Sequence, residues 1–245
     1  MLSPVAEPVI QRWNEYTESE HEVWRCLYRR RIGELERQAS RVFLEGLAAI
    51  GLDRHAIPDL GQVNVRLSAR TGWMADPVGG FLPAAAFFES LARRRFPTTV
   101  TIRSPENLDY TPEPDIFHDV FGHVPLHADP DFADFLARFG ALAAVARDED
   151  TTTRMARLFW YTVEFGLIRE RGQLRVYGSG LISSSADAAN ALSDNVDLRR
   201  FDLEQVMSQP FEIDRLQPIL FWIEDFGELA SALSSLRPGP PRSSG

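Results

Sequence analysis

Three of the five histidines, His118, His123 and His127, fall within ten residues of one another. Imidazole is the commonest side-chain metal ligand and titrates near neutrality. Such a cluster suits a metal site, but it equally suits one or two surface histidines beside a helix-capping one. His123 and His127 are four apart, the interval that places two side chains on one helix face, yet Pro125 between them opposes a regular helix. His118 and His123 are five apart, which a 3.6-residue period splays by about 140°. They converge only if the chain is loosened, as Gly122 and Pro125 allow. A third ligand is offered by Glu164, in the apolar run Phe159-Trp-Tyr-Thr-Val-Glu164. A carboxylate there is costly unless it is ion-paired, for instance with Arg169, or metal-bound. Two histidines and one carboxylate form the facial triad of non-haem Fe(II) oxygenases, which leaves positions open for oxygen and substrate. The spacing lacks the His-Glu-x-x-His zinc signature, and the single Cys26 excludes a thiolate zinc site.

Helices must position most of these residues. Thr17-Glu18-Ser19-Glu20 reads as a capping box that opens one long amphipathic helix over 17–51, stopped at Gly51. Pro58 opens a shorter helix through Leu67, and Pro83 opens another through Arg95. The β-branched run 98–102 predicts a strand. Helices are expected at 115–123, 131–146, 152–165 and 186–193, and over the amphipathic stretch 218–236. Strands are expected at 174–177 and 211–213. The reading is of a mostly α protein with a few short strands. One domain spans 13–236, preceded by an N-terminal segment, 1–12, and followed by a disordered tail, 237–245.

Composition narrows the class. The chain has 245 residues, 44% hydrophobic and 25% charged, with a net charge of −9. That is the balance of an ordinary globular protein, and it disfavours nucleic acid or an anionic membrane as a partner. No run of apolar residues is long enough to span a bilayer. The start of the chain lacks the pattern of a signal peptide, and one cysteine is consistent with a reducing cytoplasm. Every basic residue is arginine, so lysine-based catalysis is absent.

Three blocks taken together carry a resemblance. They are Pro114-Asp-Ile-Phe-His118-Asp-Val-Phe-Gly-His123-Val-Pro125, Tyr161-Thr-Val-Glu164-Phe-Gly-Leu167 and Tyr177-Gly-Ser-Gly180-Leu-Ile-Ser-Ser184, with 41 residues from His123 to Glu164. They resemble the pterin-dependent aromatic amino acid hydroxylases, and the short bacterial members most closely, over roughly 13–236. The resemblance implies the single catalytic domain of that family and an Fe(II) held by His118, His123 and Glu164. It also implies a tetrahydropterin reductant and hydroxylation of L-phenylalanine to L-tyrosine with O2. By local pattern it places Gly80, Phe81, Leu82, Phe87 and Asp119 at the pterin, with Phe87 stacked on the ring. Arg103 pairs with the substrate carboxylate, and Thr111 and Ser183 help hold its charged end. Pro114 and Trp160 wall the aromatic pocket, Gly180 belongs to the same set, and Asp115 orients a ligand histidine. Trp160, together with an apolar wall at Ile213, favours phenylalanine over tryptophan and tyrosine. Three departures stand out: Asp119 where many members carry Glu, Phe159 where several carry tyrosine near the iron, and Ala84 where animal members have serine. The family's regulatory domain and tetramerisation helix have no counterpart, which implies a monomer. Taken alone, the residues leave two other classes open, a zinc hydrolase at the same triad and a non-catalytic aromatic-ligand-binding module.

Overall fold

In a computed structural model of the chain, the structure describes residues 9–80, 82–109, 111, 113–146 and 148–236. The expected tail, 237–245, and most of the N-terminal segment therefore lie outside the described residues. Helices α1 (Glu18–Gln38), α2 (Arg41–Ile50) and α3 (Leu60–Thr71) lead into β1 (Met74–Val78), α4 (Ala84–Ala92) and β2 (Arg95–Thr99). A π-helix, Phe117–His123, is followed by α5 (Pro130–Ala144) and α6 (Glu149–Phe159), and α6 runs into a second π-wound turn, Trp160–Glu164. Then come β3 (Leu167–Glu170), β4 (Gln173–Val176), α7 (Ser179–Ser183), α8 (Ser185–Ala191), β5 (Asp197–Arg200), α9 (Leu203–Ser208), β6 (Ile219–Ile223) and α10 (Phe226–Ser235). β1 and β2 pair in parallel, and the other four strands form a sheet in the order β4-β3-β6-β5.

The capping box is present. Thr17 Oγ1 accepts from Glu20 N, and the Glu20 carboxylate accepts from Thr17 N at 2.7 Å. The long first helix is not continuous, however. Ala39 is extended and Ser40 starts a new helix, its hydroxyl accepting from Phe43 N at 3.2 Å. The cause is tertiary: Ser40 N donates to Val176 O at the edge of β4, and the Glu170 carboxylate catches Arg41 N. A side-chain pattern cannot reveal a break imposed by a strand over 130 residues away in sequence. Three further expectations are corrected. The strand placed at 98–102 is β2, Arg95–Thr99, paired to β1 from Met74↔Arg95. The segment 211–213 is not a strand. The helix placed at 218–236 divides into β6, buried between β3 and β5, and α10, capped by Asp225. Among the described residues no helix is long and apolar enough to cross a membrane.

The core runs as one hydrophobic body through nearly every element. One close approach ties its first layer to the histidine segment. A Cβ built on Gly46 of α2 would stand 2.0 Å from Pro125 O, in the turn that follows His123. The two backbones touch only because the side chain is missing. Gly46→Ala should therefore destabilise the chain by about 1–3 kcal/mol, the usual penalty of overpacking, despite alanine's better helix propensity. Urea denaturation checks this; a variant as stable as wild type would mean that α2 does not bear on the turn.

Candidate metal centre and substrate pocket

The five-residue interval between the histidines finds its explanation in the winding of their helix. Phe117–His123 is a π-helix, whose hydrogen bonds run from i to i+5. One turn then takes more than the 3.6 residues of an α-helix, so residues five apart are brought towards one side, and the Nε2 atoms of His118 and His123 lie 3.3 Å apart. The same device acts at the third residue. α6 widens into Trp160–Glu164, closed by Phe165 N donating to Trp160 O at 2.8 Å, and this aims Glu164 at the imidazoles. Its Oε1 is 3.1 Å from His123 Nε2 and its Oε2 is 3.6 Å from His118 Nε2. The three ligand atoms lie within 4.8 Å of one another, and no other such group occurs among the described residues. Arg169, the alternative partner for Glu164, instead pairs with Glu224 and lies 3.5 Å over the Trp222 ring.

α7 sets the chemical state of two of these ligands. Ser183 Oγ donates to Ser179 O at 2.8 Å, so its lone pair accepts from His118 Nδ1–H at 2.9 Å. That fixes the tautomer that leaves Nε2 bare for a cation. Ser179 Oγ donates to Glu164 Oε2 at 2.6 Å. Burial pushes the Glu164 carboxyl up, but His123, His118 and Ser179 together outweigh it and hold the pKa at about 2. The site thus offers the Nε2 atoms of two imidazoles and one carboxylate, the donor set that suits ferrous iron. α7 can approach this closely because Gly178 precedes it; a Cβ there would stand 2.4 Å from Glu164 O. Gly180 also lies against Glu164 O and the Phe165 ring.

Asp115 departs from its expected part. Its carboxylate accepts from Arg103 Nε at 2.7 Å, Arg103 Nη2 at 2.9 Å, Arg103 N and the backbone N–H of His118. Burial raises its pKa, but the guanidinium and the two N–H groups bring it below the usual value. Asp115 therefore anchors the start of the π-helix, while the His118 ring is oriented by Ser183. Arg103, Thr111 and Pro114 line one cavity of about 250 Å³ together with Asp115 and Asn107. The Arg103 fork faces Asp115, and Nη1, whose contact with Leu108 O is 3.4 Å, is its least engaged nitrogen. Thr111 Oγ1 donates to Glu113 O.

Trp160 packs on Phe211, nearly parallel at 4.4 Å, and on Phe165 at 4.6 Å. Its Nε1 donates to Gln217 Oε1, and the amide of Gln217 donates to Glu212 O and Arg215 O, which holds the 211–217 loop over the indole. Neither Gln217 nor Ser179 was singled out from sequence. The signal for Ser179 was its place between two glycines of a matched block, whereas Gln217 had none. Ile213 does not wall the pocket, being 78% exposed at the tip of that loop.

Of the residues expected at the pterin, Phe87 connects to His123 through two other rings. Phe96 and Phe159 both lie against its imidazole, and Phe87 meets each of them edge-on, as it does Phe88. Phe87 is half-buried, and no ring among the described residues stacks in parallel on it. Asp119 is buried, with its carboxylate accepting from Thr99 N at 2.7 Å; burial raises its pKa against the pull of His118, Thr99 N–H and His123. Gly80 is exposed in the loop before α4, Leu82 is half-buried, and Phe81 lies outside the described residues. His127 is not in the triad. Its Nδ1–H donates to His123 O, and burial beside Trp73 and Phe96 lowers its pKa to about 3.

Comparison with known proteins agrees with this geometry. Residues 8–237 match the model of the biopterin-dependent aromatic amino acid hydroxylase family. The chain is 42% identical to a phenylalanine-4-hydroxylase of Caulobacter vibrioides, covering 95% of this chain and 84% of that one. The cobalt-bound phenylalanine hydroxylase of Chromobacterium violaceum superimposes with a TM-score of 0.92 at 39% identity, over 95% of this chain and 84% of that one. A structure of the same enzyme with iron(III) and 7,8-dihydrobiopterin gives 0.88 at 39% identity, over 94% and 88% of the two chains. With the triad, the pocket and the fold in agreement, the chain belongs to the biopterin-dependent aromatic amino acid hydroxylases.

Proposed function

We propose that the chain is an Fe(II)- and tetrahydropterin-dependent monooxygenase that converts L-phenylalanine to L-tyrosine with O2. The observation that carries this reading is the convergence of His118 Nε2, His123 Nε2 and the Glu164 carboxylate within 4.8 Å, with Asp115, which accepts from His118 N, also lining a cavity with Arg103, Thr111 and Pro114. Iron and pterin supply the activation of O2; the chain's residues bind and orient. Arg103 offers its guanidinium to the substrate carboxylate, with Asp115 holding the fork still. Thr111, Ser183 and Gly180 border the amino acid's charged end, and Pro114 and Trp160 confine its ring. Gly80, Phe81 and Leu82 border the pterin, Phe87 stacks on it, and Asp119 accepts from it. The catalytic domain comprises 13–236 and works in the cytoplasm as a monomer.

Three outcomes are expected. His118→Ala, His123→Ala and Glu164→Ala should each lose iron and turnover together, whereas His127→Ala should keep its iron; metal analysis decides, and full iron with turnover in His118→Ala would contradict the triad. In competition kinetics, kcat/KM for phenylalanine should exceed that for tryptophan and tyrosine, and Trp160→Phe should raise the relative rate on tryptophan. A value for tryptophan or tyrosine equal to that for phenylalanine would sink the substrate assignment. Sedimentation at low protein concentration should give a monomer, and a stable tetramer would refute it.

A further inference from the structure

Arg31 lies on α1, far from the metal centre in sequence, yet its side chain is only 3% exposed. Its Nε donates to Ile182 O at 2.8 Å, its Nη2 to Leu181 O at 3.0 Å and its Nη1 to Ser185 Oγ at 3.0 Å. Glu34, on the solvent side, completes its partners. Leu181 and Ile182 are the residues of α7 between Ser179, which donates to Glu164, and Ser183, which accepts from His118. A five-residue helix makes few hydrogen bonds of its own, here including Ile182 N to Gly178 O and Ser184 N to Gly180 O, and these leave the Leu181 and Ile182 carbonyls to other donors. The two carbonyls satisfied by Arg31 are therefore the fixed points that locate both hydroxyls.

We propose that Arg31 is a positioning residue for the metal centre, which clamps α7 so that Ser179 and Ser183 hold Glu164 and the His118 tautomer ready for iron. The planar guanidinium is what suits this task. It spans two adjacent carbonyls and a hydroxyl at once, which the single ammonium of lysine cannot do. Glu34 neutralises the buried charge at Nη1, whereas Nε and Nη2 hold the α7 carbonyls, so the clamp and the charge balance are separable. The inference rests on the reading of the triad as a metal site.

The test uses the full chain, freed of metal and titrated with Co(II), followed by the visible d–d absorption of the bound ion. Groups that orient metal ligands typically change affinity by about 10–100-fold when altered. Arg31→Lys should weaken Co(II) by about tenfold, and Glu34→Gln should stay within about twofold of wild type. When Ser179 and Ser183 are both alanine, the link is already cut, and adding Arg31→Lys should change affinity by less than about twofold. Arg31→Gln, which keeps one donor, gives a second reading should the buried lysine unfold the chain, and it should lose at least as much affinity. Thermal melts of the metal-free proteins report the purely structural contribution. A variant that lowers the melting temperature while keeping wild-type Co(II) affinity would overturn the proposal. So would an equal loss in both serine backgrounds. Failure of the wild-type chain itself to bind Co(II) would instead contradict the metal-site reading.

Discussion

Two imidazoles five residues apart can meet one cation only if the helix that carries them is wound more widely than an α-helix. Phe117–His123 is wound that way, and so is the turn that delivers Glu164. π-winding sacrifices good i→i+4 hydrogen bonding and is found mostly at functional sites. Here both segments pack against the aromatic core, with Phe117 against Trp24, Phe121 against Phe43 and Trp160 against Phe211. Packing from the surrounding layers holds the backbone in a form that its own hydrogen bonds would not favour. The fold's remaining features serve this condition: α2 backs the turn after His123, β2 meets the π-helix through Asp119, and α7 caps the ligands from the other side.

Charge placement follows the same logic. The Arg103–Asp115 pair is buried on both sides, with side chains 7% and 5% exposed. Such pairs add little net stability, because desolvation offsets their attraction. What this one adds is direction: a fork held against a carboxylate that also accepts from the His118 backbone ties the cavity Arg103 lines to the histidine segment. Arg31 is arranged alike, a buried cation whose partners are mainly backbone carbonyls. In both cases an arginine near the site is fixed before any ligand arrives, which lowers the ordering cost of binding.

Local signals were legible in the sequence. The capping box at Thr17 and Glu20 depends on four consecutive residues; the caps Asp129 and Asp148, which start α5 and α6 ahead of the expected 131 and 152, are equally local but form no part of that reading. The ligand set was legible because three blocks resemble one family, although their spacing alone conflicted with a regular helix. What escaped was set by distant parts of the chain. The break at Ala39 is made by Val176. The apolar run Ile219–Ile223 suits helix or buried strand equally and becomes a strand because β3 and β5 flank it. Asp115 was assigned to a ligand ring, but an acid three residues before a helical residue reaches that residue's N–H more readily than its side chain. An apolar residue at 213 suits a pocket wall, but the loop turns Ile213 into solvent.

The central claim is that winding and α7 together present Nε2 of both histidines and one Glu164 oxygen to a single point. Crystals of the full chain grown with Fe(II) under anaerobic conditions, with anomalous data at the iron edge, test it directly. The account predicts one strong peak at about 2.0–2.2 Å from His118 Nε2, His123 Nε2 and Glu164, the usual range for nitrogen and carboxylate ligands, with Ser183 still on His118 Nδ1. A peak bound through His118 Nδ1, or one that recruits His127 in place of either histidine, would contradict it.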